Sequence, residues 1–251
     1  MCLLAILYRS VPEAPLLVAA NREEFFDRPY ELPTITPGPV RYLAGRDLRA
    51  GGTWLGVNEF GLVAAVTNRP LDHPPAEPRS RGQLCREMLL CRGADEAADL
   101  AARELKSERY AGANFIAADN RAAFLIEHGG EVALTPLAPG LHLVTNGRPN
   151  DPSDPRQSLA RELFSAVGIR TTGEFLDVAR SVCRQGPDPA TGRTILIRLP
   201  ERGTVSSTLI ALPNDRAQTI YEFAAGPPDV TPYRDYSGLM RELLAQDRTR
   251  A

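Results

Sequence analysis

From Cys2 to Arg9 the chain is apolar at odd and even positions alike, which predicts a strand buried on both faces. After a turn at Pro12–Pro15, the run Leu16–Ala20 predicts a second strand that ends at Asn21-Arg22-Glu23-Glu24. A proline-rich excursion follows, closed by a Gly51-Gly52 turn. Trp54–Val57 and Leu62–Val66, joined through Asn58-Glu59-Phe60-Gly61, predict a hairpin. The period then lengthens. Ser80–Cys91 carries Leu84, Met88 and Cys91 at helical spacing, and Asp95–Glu108 carries Leu100, Ala101 and Leu105, so two helices are expected. Strand character returns over Asn114–Val144, and Pro155–Val167 and Thr172–Arg184 predict a second pair of helices. Thr194–Leu199, Ser206–Leu212 and Thr219–Phe223 predict strands, with a closing helix over Gly238–Ala245.

Strands in blocks, separated by paired helices, point to a layered α+β chain rather than to alternating βαβ units. A four-layer αββα sandwich, with two mainly antiparallel sheets between helical layers, also accounts for a first strand buried on both faces. The expectation is one such domain over residues 1–251.

Composition narrows the function. A net charge of −2 and 43% hydrophobic residues give no reason to expect nucleic-acid binding or a polybasic membrane anchor. No apolar run approaches a membrane span, and the first residues lack the basic region and cleavage site of a signal peptide, so a cytoplasmic protein is expected. Cys2, Cys85, Cys91 and Cys183 make no disulfide framework and no zinc or haem-attachment pair. His73, His128 and His142 have no metal-ligand spacing, and no cofactor is expected. The G-x-S-x-G elbow, the dinucleotide fingerprint and the phosphate P-loop are absent. Lys106 is the one lysine among 29 basic residues, so any bound anion meets guanidinium forks.

The candidate chemistry gathers at strand ends. If Met1 is removed, Cys2 gains a free α-amine, whose pKa of roughly 7.7–8 suits a general base beside the thiol. The alternative is a small buried hydrophobe at the start of a strand. Arg22 is placed to lower the thiol pKa or bind a substrate carboxylate, and Glu23 or Glu24 to hold Arg22 or the amine; a solvated strand end is the rival reading. Asn68 and Asn146 end apolar strands in matching Val-Thr-Asn sequences, suited to oxyanion donors or to simple turns. Arg46 through Trp54, with two Arg, two Gly and the only Trp, suits a lid or anion pocket, or a tight turn packing Trp54 inward.

These segments carry a resemblance. Met1-Cys2-Leu3-Leu4-Ala5, Asn21 through Pro29, Ala44-Gly45-Arg46-Asp47 and Gly51 through Val57 resemble the NRDE family, the transport-and-Golgi-organisation-2-like proteins. Ala64 through Asn68, Ser80-Arg81-Gly82, Pro139 through His142, Asn146 and Ser206-Ser207-Thr208 continue the match in the family's order. Glu23 stands where the family's namesake has Asp, and Val205 where an Arg is usual. The arrangement is more distantly similar to cholylglycine and penicillin V acylases, which are N-terminal-nucleophile hydrolases of αββα fold. That similarity implies Cys2 as nucleophile, Arg22 with Glu23 or Glu24 as its charged neighbours, and Asn68 and Asn146 as oxyanion and later Asn. It implies hydrolysis of an amide or ester, and an arginine-rich rim of Arg22, Arg28, Arg46 and Arg69, with Trp54, favours a small anionic acyl substrate. The family implies as the alternative a binding or trafficking protein for haem or for lipid and acyl-coenzyme A.

Overall fold

In the computed structural model, residues 2–107 and 109–245 are described. The expected loss of Met1 and the expected extension of a helix to Glu108 concern residues outside that set. In chain order the strands are β1 (Leu3–Val11), β2 (Ala14–Phe25), β3 (Tyr30–Thr36), β4 (Tyr42–Asp47), β5 (Leu55–Asn58), β6 (Val63–Asn68), β7 (Ala113–Ala118), β8 (Ala123–His128), β9 (Val132–Pro136), β10 (Gly140–Val144), β11 (Arg202–Leu212), β12 (Ile220–Ala224) and β13 (Arg234–Asp235). The helices are α1 (Arg81–Met88), α2 (Ala94–Leu105), α3 (Pro155–Ser165), α4 (Thr172–Cys183) and α5 (Ser237–Ala245). No described helix is long and apolar enough to cross a membrane.

Two compact units result. The first joins the residues up to Asp27 with Pro139–Ser237; the second joins Arg28–Ala138 with the residues from Gly238 onward. The first unit holds an antiparallel sheet in the order β10-β1-β2-β11-β12-β13. Leu3, Ala5 and Leu7 of β1, with Leu17, Ala19 and Leu209, form one core with Phe164 of α3 and Phe175 of α4. Each of these leucines and phenylalanines contributes roughly 1.5–3 kcal/mol by leaving water. Leu4, Ile6 and Tyr8, on the other face of β1, are buried too, as the unbroken apolar pattern requires. The helices begin on clear signals. Asp154 accepts the amides of Arg156 and Gln157 with Pro155 in the first turn, and Thr171 and Glu174 form a reciprocal capping box.

The second unit holds an antiparallel sheet in the order β3-β4-β5-β6-β7-β8-β9. Tyr42, Ala44, Ala64, Phe115 and Ile126 pack against Leu84 and Met88 of α1 and against the alanine face of α2, with Ala97, Ala98 and Ala101. Ser80 caps α1, and the Asp119 carboxylate accepts the Ala94 amide at 2.8 Å at the start of α2.

Three segments differ from the sequence expectation. The proline-rich excursion contains β3 and β4. β3 is an edge strand, where Pro33 has no ladder bond to lose, and its pairing slips between Glu31 and Thr34. Thr194–Leu199, expected as a strand, is irregular apart from a lone bridge between Arg198 and Gly203. Ile195 and Leu196 are consecutive and both buried, so they do not alternate, and the Ile195 carbonyl is taken by the Arg156 guanidinium. Trp54 precedes its strand rather than opening it.

Candidate active site at the start of the first strand

Cys2 lies one residue before β1. Leu3 pairs with Asn21, so the next pair along the strands sets Cys2 beside Arg22. β11 lies on the other side of β2, with Ser206 opposite Arg22 and Thr204 opposite Glu23. The intervening Val205 is the extra residue of a β-bulge. Its effect is on side-chain direction: Thr204 and Ser206, which regular alternation would put on one face, are sent to opposite faces. The departure from the family pattern at Val205 thus falls on the residue that re-aims the strand.

On the helix side of the sheet, Asn21 Nδ2 donates to the Cys183 carbonyl at 2.8 Å. Glu23 receives Arg156 Nη2 at 2.7 Å and Nη1 at 3.3 Å, and the Thr204 hydroxyl at 3.1 Å. The same guanidinium donates through Nε and Nη2 to the Ile195 carbonyl, at 3.0 and 2.6 Å. The pair is nearly dry, with side-chain exposures of 11% for Arg156 and 2% for Glu23. Burial pushes the Glu23 carboxyl upward, against the opposing pull of Arg156 and Thr204.

The Cys2 environment follows from this frame. The residue is half-buried, whereas Cys85, Cys91 and Cys183 are buried. Burial raises its thiol pKa, as does the Glu23 charge; the Glu23 backbone amide, which donates to the sulfur, and the Arg22 charge pull the other way. Arg22 and Glu23 are both buried. Glu24 is half-exposed and its carboxylate accepts the Phe25 amide at 3.0 Å. Of the two acids, Glu23 is therefore the one whose charge bears on the sulfur.

Asn146 follows β10 by two residues, at the end of the sheet where Cys2 precedes β1. Its loop is tied to the first turn of α3. Thr145 Oγ1 donates to Asp154 Oδ2 at 2.6 Å, and Gln157 Nε2 donates to Thr145 Oγ1 at 2.9 Å and to the Arg148 carbonyl at 2.8 Å. Asp154 through Gln157 thus hold both the Asn146 loop and, through Arg156, the Glu23 carboxylate. Sequence reasoning missed this hub, although its helix-start signal, Asp-Pro followed by a long basic side chain, was present. Asn21 Oδ1, Asn146 Oδ1 and Ser206 Oγ are buried at this end of the sheet without a hydrogen-bond partner among the described residues. Each such group costs about 1–3 kcal/mol.

The remaining expected site residues belong to the second unit. Asn68 ends β6, exposed, opposite Ala113. Arg28 is paired with Asp47 at 2.7 Å, and Arg69 with Glu127 at 2.7 Å. Arg46 lies 3.7 Å from Glu31, both well exposed. Trp54 meets the Tyr30 ring edge-on and lies against Gly45, where a Cβ would come within 2.6 Å of the indole.

Solved structures locate this architecture. A Caenorhabditis elegans N-acylethanolamine-hydrolyzing acid amidase ortholog matches with a TM-score of 0.56 at 15% identity, over 85% of this chain and 94% of that one. A Clostridium perfringens conjugated bile acid hydrolase variant matches with a TM-score of 0.53 at 11% identity, over 94% and 96%. The fold is α+β, with two antiparallel sheets, and N-terminal-nucleophile-hydrolase-like. In sequence, the profile of the family described as Transport and Golgi organisation 2 matches residues 1–225. The human Transport and Golgi organization protein 2 homolog is 28% identical over 237 residues, covering 82% of this chain and 85% of its own. The Mus musculus Transport and Golgi organization 2 homolog is 31% identical over 193 residues, covering 70% and 68%. The chain belongs to the Transport and Golgi organisation 2 family, which bears out the resemblance read from its motifs.

Proposed function

We propose that this chain is an N-terminal-nucleophile hydrolase of amides or esters, with Cys2 as nucleophile and a small anionic acyl compound as substrate. The observation that carries the reading is the setting of the Cys2 sulfur. It is the half-buried cysteine among buried ones, it accepts the Glu23 amide, and it feels the Arg22 charge. The end of its sheet also gathers buried polar atoms of Asn21, Asn146 and Ser206 that lack a partner among the described residues. An N-acylethanolamine, the substrate named for the amidase of similar fold, is an amide, and the amide class is what we carry to this chain.

The chemistry requires that Met1 be cleaved. The Cys2 thiol then gives its proton to its own α-amine and the sulfur attacks the acyl carbon, forming a C–S bond. The resulting oxyanion takes an N–H donor from Asn146, of a kind whose loss costs about 3–4 kcal/mol of transition-state stabilisation. The ammonium returns the proton to the leaving nitrogen or oxygen as that bond breaks. Water, deprotonated by the amine, next cleaves the thioester, releasing the carboxylic acid and restoring the thiol. Arg22 attracts the substrate's negative charge, and Arg156 keeps Glu23 in place.

Intact mass together with a panel of N-acyl amides and p-nitrophenyl acyl esters tests this. Turnover by protein lacking Met1, abolished in Cys2→Ala and lowered about 100-fold in kcat by Asn146→Ala, is the expected result. Retention of Met1, or turnover unchanged in Cys2→Ala, contradicts it. The second reading, a carrier for haem or acyl-coenzyme A, draws support from the raised thiol pKa, which keeps thiolate scarce. Saturable binding that survives Cys2→Ala, without turnover of any substrate in the panel, favours the carrier.

A further inference from the structure

Within the second unit, a cavity of about 390 Å³ opens between the β3–β4 edge and the Gly51-Gly52 turn. Its size falls in the lower range of small-molecule sites. The turn is held rigidly. The Gly51 amide donates to the Asp47 carbonyl and the Asp47 amide to the Gly52 carbonyl, both at 2.8 Å. The Asp47 carboxylate accepts Arg28 Nε at 2.9 Å and the amides of Arg49 and Ala50. Gly51 has φ of +70°, and a Cβ on Gly52 would lie 2.1 Å from the Gly82 backbone at the start of α1. The Gly-Gly pair is thus required by both conformation and contact, and the wall it forms is preorganised.

Two guanidiniums, from Arg46 and Arg86, line this cavity. Arg86 commits one donor to the Gly51 carbonyl at 3.2 Å, and Arg46 stands 3.7 Å from Glu31, beyond hydrogen-bond reach. A guanidinium has five N–H donors in a planar fork that matches carboxylate and phosphate oxygens. Two arginines against Glu31 leave one net positive charge, and Ile35 and Ala44 supply apolar wall. We infer that this cavity binds a small organic anion, its carboxylate or phosphate gripped by Arg46 and Arg86 and its apolar body against Ile35 and Ala44. The site is built wholly from the second unit and stands whether or not Cys2 is a nucleophile.

The test is calorimetric titration of the full chain with benzoate, phenyl phosphate and, as cationic control, benzylamine. Saturable binding of benzoate or phenyl phosphate, with none of benzylamine, is expected, and the tighter of the two names the head group. Arg46→Ala and Arg86→Ala, both at exposed side chains, each weaken binding about ten-fold, and Thr36→Phe, which fills the cavity, abolishes it. Cys2→Ala and the distant Arg103→Ala bind as wild type, and circular dichroism confirms that every variant is folded. Absence of saturable binding by both anions, equal binding of benzylamine, or wild-type affinity in the Arg46→Ala/Arg86→Ala double variant overturns the inference.

Discussion

Replacing Arg156 by methionine removes the buried partner of Glu23 while keeping most of the side chain's volume. Glu23, with a 2% exposed side chain, loses contacts of 2.7 and 3.3 Å and, among the described residues, keeps the Thr204 hydroxyl at 3.1 Å. Breaking one side of a buried pair costs about 3–5 kcal/mol, since the other charge stays uncompensated in a poorly polarisable interior. The Ile195 carbonyl loses both of its guanidinium donors in the same step, which keeps the cost toward the upper end. For a chain of this length, each kcal/mol moves the melting midpoint by about 2–4 °C, so the expected fall is roughly 6–20 °C. Thermal unfolding followed by far-ultraviolet circular dichroism measures that fall, and urea unfolding the free energy. A Glu23→Leu/Arg156→Met double variant recovers most of the loss, because a well-packed apolar replacement of a buried pair is often neutral. Glu23→Gln provides a separate readout at the sulfur. It removes a charge that raises the Cys2 thiol pKa, so alkylation of Cys2 at fixed pH quickens. A midpoint for Arg156→Met within about 1 kcal/mol of wild type, or slower alkylation in Glu23→Gln, refutes the reasoning.

Iodoacetamide at neutral pH labels Cys2 well before Cys85, Cys91 and Cys183, which are buried and, for Cys91 and Cys183, have thiols pushed up to about 11; peptide mass mapping reads the order. Burial alone would raise the Asp154 carboxyl, but donation by Thr145 and by the amides of Gln157 and Arg156 outweighs it and holds the pKa below the ordinary carboxylate range. Asp154 therefore contributes stability above about pH 4 that is lost as pH falls through its depressed pKa, so an acid titration of Asp154→Asn converges with wild type only at the acid end. At neutral pH, urea unfolding of Asp154→Ala registers the lost helix cap as about 0.5–2 kcal/mol. Gly52→Ala drives a methyl into the Gly82 backbone and costs about 1–3 kcal/mol in the same assay, with wild-type stability contradicting the turn described here.

The elements that proved legible were those whose signals are local. The two-parity apolar run fixes β1, the Asp-Pro start and the capping box open α3 and α4, and Cys2 with Asn21 through Glu24 marks a strand end. What was hidden depends on partners far along the chain. Arg156 and Glu23 are 133 residues apart, so nothing near either announces the pair. β3 was masked by prolines that are harmful inside a sheet and harmless on its edge. Thr194–Leu199 carries a strand-like pattern, yet its Ile195 carbonyl serves a guanidinium and the consecutive Ile195 and Leu196 are both buried. That Glu23 rather than Glu24 bears on the sulfur follows from its burial in the folded sheet, which composition cannot express.

Trapping the acyl intermediate tests the central claim most directly. The protein is mixed with a p-nitrophenyl acyl ester, quenched in acid within the first turnover and digested for mass spectrometry. The account predicts one acyl group on an N-terminal peptide that begins at Cys2, and none in Cys2→Ala. A peptide that retains Met1, or an acyl group found only on another residue, contradicts it.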